Sequence, residues 1–259
     1  MGTSVLVTGG TKKDIDAMAV LALNVKEKTP ELAREMIVFH DGVSEEIQSK
    51  FQEIMPTRFI RYKCPIPKYK LWQNKIIRYF SPMVFCKIEC LKLLEEYETV
   101  IWSDYDVIIK EDIKELLNID KSYSFICDPK TKFRDMFYKT FYKKNTNEFN
   151  LDDYGLCMSL FIFNKFNSDY IEHYNWCIQA MRKYIRYIYL PEQAIISMML
   201  QKYNIDWGKV NNRTYCTHPK DDSDDVKIIH AYGQPKFWNG LENSDWNRYF
   251  QMWLDIKNR

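Results

Sequence analysis

Val100-Ile101-Trp102-Ser103-Asp104-Tyr105-Asp106-Val107 joins an apolar run to two carboxylates one residue apart. The run from Thr99 to Trp102 predicts a compact buried strand. On extended chain, residues i and i+2 project to the same side, so Asp104 and Asp106 are expected to face one another's space. Two carboxylates held that way repel unless a positive charge lies between them. A hard divalent cation, Mg²⁺ or Mn²⁺, meets that need and keeps positions for phosphate. The pair also follows the carboxyl end of a strand, where open α/β sheets bind ligands. The motif alone fits a solvated acidic turn equally well.

Working outward, strand and helix alternate. Ser4–Thr8 is β-branched, Gly9-Gly10 marks a turn, and Asp14–Lys28 carries apolar residues at helical spacing. Met36–His40 predicts a second strand, and Ser44 caps a helix that follows it. Further strands are expected at Phe59–Tyr62, Ser124–Cys127, Met158–Phe163 and Lys227–His230. Helices are expected at Met83–Glu96, Ser168 to about Arg182, and Pro191–Lys202. The alternation implies an α/β fold with a largely parallel sheet. No repeat or low-complexity linker interrupts it, so residues 1–259 read as a single domain. The charged segment Lys130–Asn150 is the candidate for a mobile insertion, and residues 239–259 for a C-terminal aromatic and basic helix.

With 259 residues, 46% of them hydrophobic, the chain can bury a sizeable core. Its 37 Lys and Arg balance 35 Asp and Glu, which argues against a nucleic-acid partner. Seven cysteines without a CxxC pair fit structural thiols in a reducing cytoplasm better than a disulfide framework. Cys86 and Cys90 could share a helix face, but no second ligand pair completes a zinc site. No apolar stretch reaches the roughly 20 residues that span a bilayer.

Asp104-Tyr105-Asp106-Val107 after a strand also resembles the first motif of haloacid-dehalogenase-type phosphatases, with Asp104 as nucleophile. Lys220-Asp221-Asp222-Ser223-Asp224-Asp225 could supply their later Lys and acidic pair. That motif usually opens the chain and is often followed by Gly-Thr, and neither holds here. A non-catalytic nucleotide-sugar-binding protein is the other alternative.

A second segment is informative. In Ile228-Ile229-His230-Ala231-Tyr232-Gly233-Gln234-Pro235-Lys236-Phe237-Trp238 a strand ends in His230, Gly233 permits close backbone approach, and Lys236 offers a charge for phosphate. A lone His would be a satisfied core residue, but His-x-x-Gly-x-x-Lys-x-Trp strongly resembles the C-terminal motif of family 8 glycosyltransferases. This is the group of glycogenin and the bacterial lipopolysaccharide galactosyl- and glucosyltransferases. The Asp-x-Asp strand, Lys87 in the preceding helix, and Val7-Thr8-Gly9 as a uridine-binding start match the same family in the same order. Cys157-Met158-Ser159 resembles its Asn-(Ala/Ser)-Gly strand with Cys157 in place of Asn. Glu192-Gln193 resembles the Asp-Gln pair beside the sugar.

The resemblance implies a GT-A fold and transfer of a hexose, glucose or galactose, from a UDP-sugar with retention of configuration. It implies Mn²⁺ or Mg²⁺ held by Asp104, Asp106 and His230. Donor contacts would come from Thr8, Gly9, Thr11, Lys12, Lys87, Asp104, Tyr105, Gly233 and Lys236, and catalytic roles from Gln193 and Asp106. The acceptor would be a saccharide or a lipid-linked glycan of bacterial surface polysaccharide or lipopolysaccharide. Aromatic and basic residues in Lys130–Lys144 read as a solvated helix seated on the body or as an acceptor wall. Those from Trp246 to Leu254 read as core packing or as a peripheral contact with an anionic membrane.

Overall fold

The computed structural model of the protein describes residues 3–142 and 148–259. The chain alternates at first as its sequence suggests. Strand β1 (Ser4–Gly10), helix α1 (Ile15–Lys28), strand β2 (Glu35–His40), helix α2 (Glu45–Ile54) and strand β3 (Thr57–Arg61) form a parallel half-sheet. Ser44 caps α2 by accepting from the Ile47 N–H. Short helices α3 (Lys68–Leu71) and α4 (Lys75–Phe80) lead to a 3₁₀ stretch, Pro82–Ile88, and helix α5 (Glu89–Leu93).

One continuous α-helix was expected over Met83–Glu96, and the structure differs. Met83, Phe85, Cys86, Lys87 and Ile88 are all buried, so nearly the whole circumference of this segment is packed in the core. Tertiary packing has tightened it into a 3₁₀ turn in spite of good helix-forming residues.

Strand β4 (Thr99–Ser103) pairs in parallel with β1, and strand β5 (Val107–Ile109) leaves the main sheet. Strands β6 (Tyr123–Lys132) and β7 (Tyr154–Asn164) form an antiparallel pair, with β7 also antiparallel to β4. Helices α6 (Tyr170–Tyr184) and α7 (Pro191–Lys202) precede strand β8 (Gly208–Asn211), helix α8 (Asn212–Tyr215), strand β9 (Ile228–His230) and helix α9 (Ser244–Lys257). The seven-stranded sheet runs β3-β2-β1-β4-β7-β6-β8 and is mixed but mostly parallel, an α/β fold. Its two faces carry two apolar clusters, one around Trp102, Phe125 and Phe161, the other around Met18, Leu21 and Ile108. Within the first, Trp102 stacks on Phe161 with ring centroids 5.9 Å apart.

Two aromatic segments resolve into packing. Phe133, Phe137, Phe141 and Phe149 are buried together, with Phe137 and Phe141 stacked at 4.1 Å, so this stretch seats its aromatics on the body. Lys143 and Lys144 of the same basic run lie outside the described residues. In α9, Trp246, Tyr249 and Trp253 are buried; Trp253 meets Phe51, and its Nε1–H donates to Asp16 Oδ1 at 2.7 Å. Those rings are therefore not a membrane-facing surface, because α9 uses them to lie on α1 and α2.

Candidate metal centre and cleft

Two segments far apart in sequence are stitched together by a small antiparallel ladder. Val107 at the start of β5 pairs with His230 at the end of β9, and the Ala231 N–H donates to the Asp106 carbonyl at 2.9 Å. This register sets Asp106 beside His230. Asp104 and Asp106 do not lie on extended chain as expected from the sequence. The chain leaves the main sheet at Ser103 and enters the ladder at Val107, so both acids occupy the bend between two strands. The bend achieves the convergence by another route: ligand atoms of Asp104, Asp106 and His230 all lie within 4.8 Å of one another.

Each group is held from behind. The Trp102 indole N–H donates to Asp104 Oδ1 at 2.8 Å, and the Lys87 ammonium lies 2.9 Å from the same oxygen. His230 Nε2 is 3.2 Å from Asp106 Oδ1, while its Nδ1 faces Cys216 Sγ at 3.2 Å. A contact on one imidazole nitrogen fixes the ring and leaves the other for the cluster. Cys216 in turn meets Ser159 Oγ at 3.3 Å, and Cys157 donates to that hydroxyl at 3.3 Å. The Lys236 ammonium donates to Asp106 Oδ2 and, at 2.8 Å, to the Ala231 carbonyl.

Electrostatics follow from this geometry. Burial pushes the Asp106 carboxyl upward, but His230 and Lys236 outweigh it and hold it far below the usual carboxylate range. For His230, burial disfavours the imidazolium, yet Asp106 prevails and raises its pKa above the ordinary value. Two carboxylates and an imidazole are a donor set suited to Mn²⁺ or Mg²⁺, and the Lys236 ammonium already supplies positive charge at the same carboxylate. The residues present fit the ion.

A pH dependence follows for the metal-free protein. A raised His230 pKa contributes stability that is fully present below about 6.5 and fades as pH rises through the raised value. The depressed Asp106 contributes above its unfolded value and loses its share only in strong acid. In chelator, melts of the wild type and His230→Asn should therefore converge as pH rises from about 6 to 9. A constant difference across that range would contradict the pairing.

The cluster sits in a cleft of about 660 Å³. Of the residues anticipated from sequence, Gly9, Thr11, Lys87, Asp104, Tyr105, Asp106, Gln193, His230, Gly233 and Lys236 line it. Thr8 and Lys12 do not. Thr8 is fully buried beneath the floor, and its hydroxyl has no partner among the described residues. Lys12 is exposed, with its backbone N–H donating to Asp41 Oδ1 at 2.7 Å. Lys87 lines the cleft, but its ammonium is shared by Asp104, Glu192 at 3.2 Å and the Met158 carbonyl at 3.0 Å. The floor at Gly9 tolerates no side chain, since a Cβ there would stand 2.8 Å from Cys86 Sγ and from Phe39 Cβ.

Sequence reading missed the walls. Asp14 accepts from the Thr11 N–H and hydroxyl, both at 2.8 Å, and shapes the turn after β1. Tyr79, Phe80 and Tyr232 are wall aromatics that belong to no recognisable spacing, while Trp238, which closes the His-x-x-Gly-x-x-Lys-x-Trp motif, also lines the wall 6.0 Å from the Tyr105 ring. Cys216 carried no signal at all. The acidic run Lys220–Asp225, a candidate phosphatase element, stays at the surface, with Asp222 on Lys110 and Asp225 near Arg213.

Known structures share this architecture. The bifunctional glycosyltransferase WbbM superposes at TM-score 0.73 and 14% identity, over 100% of this chain and 52% of its own. An active-site mutant of LgtC gives 0.72 at 14% identity, covering 97% and 95% of the two chains. The glycosyltransferase GlyE of Streptococcus pneumoniae TIGR4, in its apo form, gives 0.63 at 14% identity, covering 99% and 62%. This chain thus spans about half of WbbM and nearly all of LgtC, and it has their GT-A fold. No curated protein sequence matches it significantly. The signature described as Glycosyl transferase family 8 matches residues 6–242, taking in both the aspartate bend and the His230 strand. The chain is a member of glycosyltransferase family 8.

Proposed function

We propose that the protein transfers a hexose, glucose or galactose, from a UDP-sugar to a saccharide or glycolipid acceptor with retention at the anomeric carbon. Bacterial surface polysaccharide or lipopolysaccharide synthesis is the setting we assign to it. The observation that carries this reading is the convergence of Asp104, Asp106 and His230 on one cleft within a glycosyltransferase family. A galactosyltransferase of the same fold, LgtC, has been seen in complex with donor and acceptor sugar analogs, which supports a two-substrate cleft here.

In this reading Asp104, Asp106 and His230 hold Mn²⁺ or Mg²⁺. Bound there, the ion neutralises charge developing on the departing UDP. Lys236 adds a point charge for the diphosphate, and the backbone around Gly233, at φ 76° with open space around its Cα, can approach it closely. The Thr11–Asp14 turn and Tyr105 face the nucleoside. Gln193 donates its amide N–H to the Leu156 carbonyl at 2.7 Å, which fixes its carbonyl oxygen as the group available to orient the sugar. Cys157 and Glu192 complete the sugar end of the cleft.

UDP release from UDP-glucose, UDP-galactose and their N-acetyl forms, with and without Mn²⁺, tests this. One donor should be hydrolysed slowly and only with the metal. Metal-dependent phosphate release from simple phosphomonoesters, with no response to UDP-sugars, would overturn the assignment.

A further inference from the structure

Two segments whose ends reach the cleft share an unusual composition. Residues 62–81 and 182–191 contain no Asp or Glu, yet they include Lys63, Lys68, Lys70, Lys75, Arg182, Lys183 and Arg186. They form one surface. The buried Asn74 side chain donates to the carbonyls of Ile185 and Ile188, both at 2.7 Å, and Lys70 Nζ donates to the Arg182 carbonyl at 3.2 Å. On it stand the most exposed large aromatics of the described chain: Trp72 at 70%, Tyr79 at 68% and Tyr69 at 66%. Phe80 and Tyr189 are nearly half exposed beside them.

Single exposed aromatics are ordinary, but five on two segments bonded to each other are not. Lys68, Lys75, Arg182, Lys183 and Arg186 are exposed and form no ion pair among the described residues, whereas Lys114, Lys227 and Arg248 elsewhere do. Glu148, 3.3 Å from the Tyr184 hydroxyl, is an acid at the edge of this region and attracts Lys183, which also meets Tyr184. A sugar-binding platform would combine aromatic rings with carboxylates, and this face has none of its own. Amphipathic rings interspersed with cations outside any salt bridge match a headgroup layer bearing negative charge. No helix is long and apolar enough to cross a membrane, so such contact would be peripheral.

We propose that this face rests on an anionic lipid bilayer, with Tyr69 and Trp72 in the headgroup layer and the lysines against its negative surface. Tyr79, Phe80 and Leu190 belong both to these segments and to the cleft, so the cleft then opens toward the bilayer. Docking stands on the surface alone. Its consequence, an acceptor carried on lipid, rests on the transferase reading above.

Co-sedimentation at low salt with phosphatidylcholine vesicles, with or without phosphatidylglycerol, tests the docking. The wild type should bind only the phosphatidylglycerol vesicles and be released by salt. Lys68→Ala, Lys75→Ala and Lys183→Ala should each weaken binding about fivefold. Trp72→Ala should weaken it as well, and all four should leave UDP release from a soluble UDP-sugar unchanged. Arg259→Ala, beyond α9, should bind as the wild type does. Failure of the wild type to bind, equal binding to both vesicle types, or variants at Lys68, Lys75, Lys183 and Trp72 that all bind normally would each overturn the proposal. So would capture by soluble dextran sulfate without capture by vesicles. Vesicle binding without any UDP-sugar activity would uphold docking and remove only the lipid-linked acceptor.

Discussion

Asp106→Ala is expected to lower metal-dependent UDP release by about 10³-fold or more while leaving the fold recognisable. Asp106 is the point where the site is joined: its carbonyl accepts from Ala231, one carboxylate oxygen meets His230 and the other meets Lys236. Removing the carboxylate takes away a metal ligand and also the charge that raises the His230 pKa and anchors Lys236. Burial then acts on His230 unopposed by its main partner, and its pKa should fall. Asp106→Asn separates the two effects, because it preserves shape and a weak oxygen ligand while removing the charge. Free Mn²⁺ measured by electron paramagnetic resonance should show binding lost in the Ala variant and weakened in the Asn variant. Near-normal turnover in Asp106→Ala would remove the metal centre from the mechanism.

The sequence made the chemistry legible before it made the walls legible. Asp104 and Asp106 could be singled out because two carboxylates one residue apart repel without a positive charge, and His230 because its motif resembles that of family 8; the β5–β9 register brings the three within reach. The layered α/β order was legible too, since strand and helix periods differ over runs such as Val100–Trp102 and Pro191–Lys202. What could not be read was long-range packing. Met83–Ile88 has helical composition but is compressed by burial on nearly all sides, and the extended geometry assumed for Asp104 and Asp106 gave way to a bend. Lys12 lies outside the cleft lining, and the bond from its backbone N–H to Asp41, just past the end of β2, is a contact the sequence does not announce. The exposed rings of Tyr69, Trp72 and Tyr79 have no periodicity that distinguishes them from core aromatics. Only the fold shows which way they point.

Lys87→Met should destabilise the metal-free protein by about 3–5 kcal/mol, measured by chemical denaturation. The Lys87 side chain is only 10% exposed, and that of Glu192 only 7%. Burial pushes the lysine toward neutrality, but Asp104 and Glu192 together overcome it and raise its pKa well above normal. For Glu192 burial dominates and raises the carboxyl, with Lys87 holding it back. Without the ammonium, Glu192 is left as an uncompensated buried acid. Asp104 is less affected because it is 24% exposed and keeps the Trp102 indole N–H. Glu192→Gln in the Lys87→Met background should therefore recover part of the loss, a coupling of about 1–3 kcal/mol for groups in direct contact. The same variant should bind Mn²⁺ more tightly than the wild type, since the ion no longer competes with an ammonium 2.9 Å from Asp104 Oδ1. Saturating Mn²⁺ should then restore more stability to Lys87→Met than it adds to the wild type, through preferential binding to the folded state. If Lys87→Met were as stable as the wild type and no better at binding metal, Lys87 would be neither the counter-charge of Glu192 nor a competitor for Asp104.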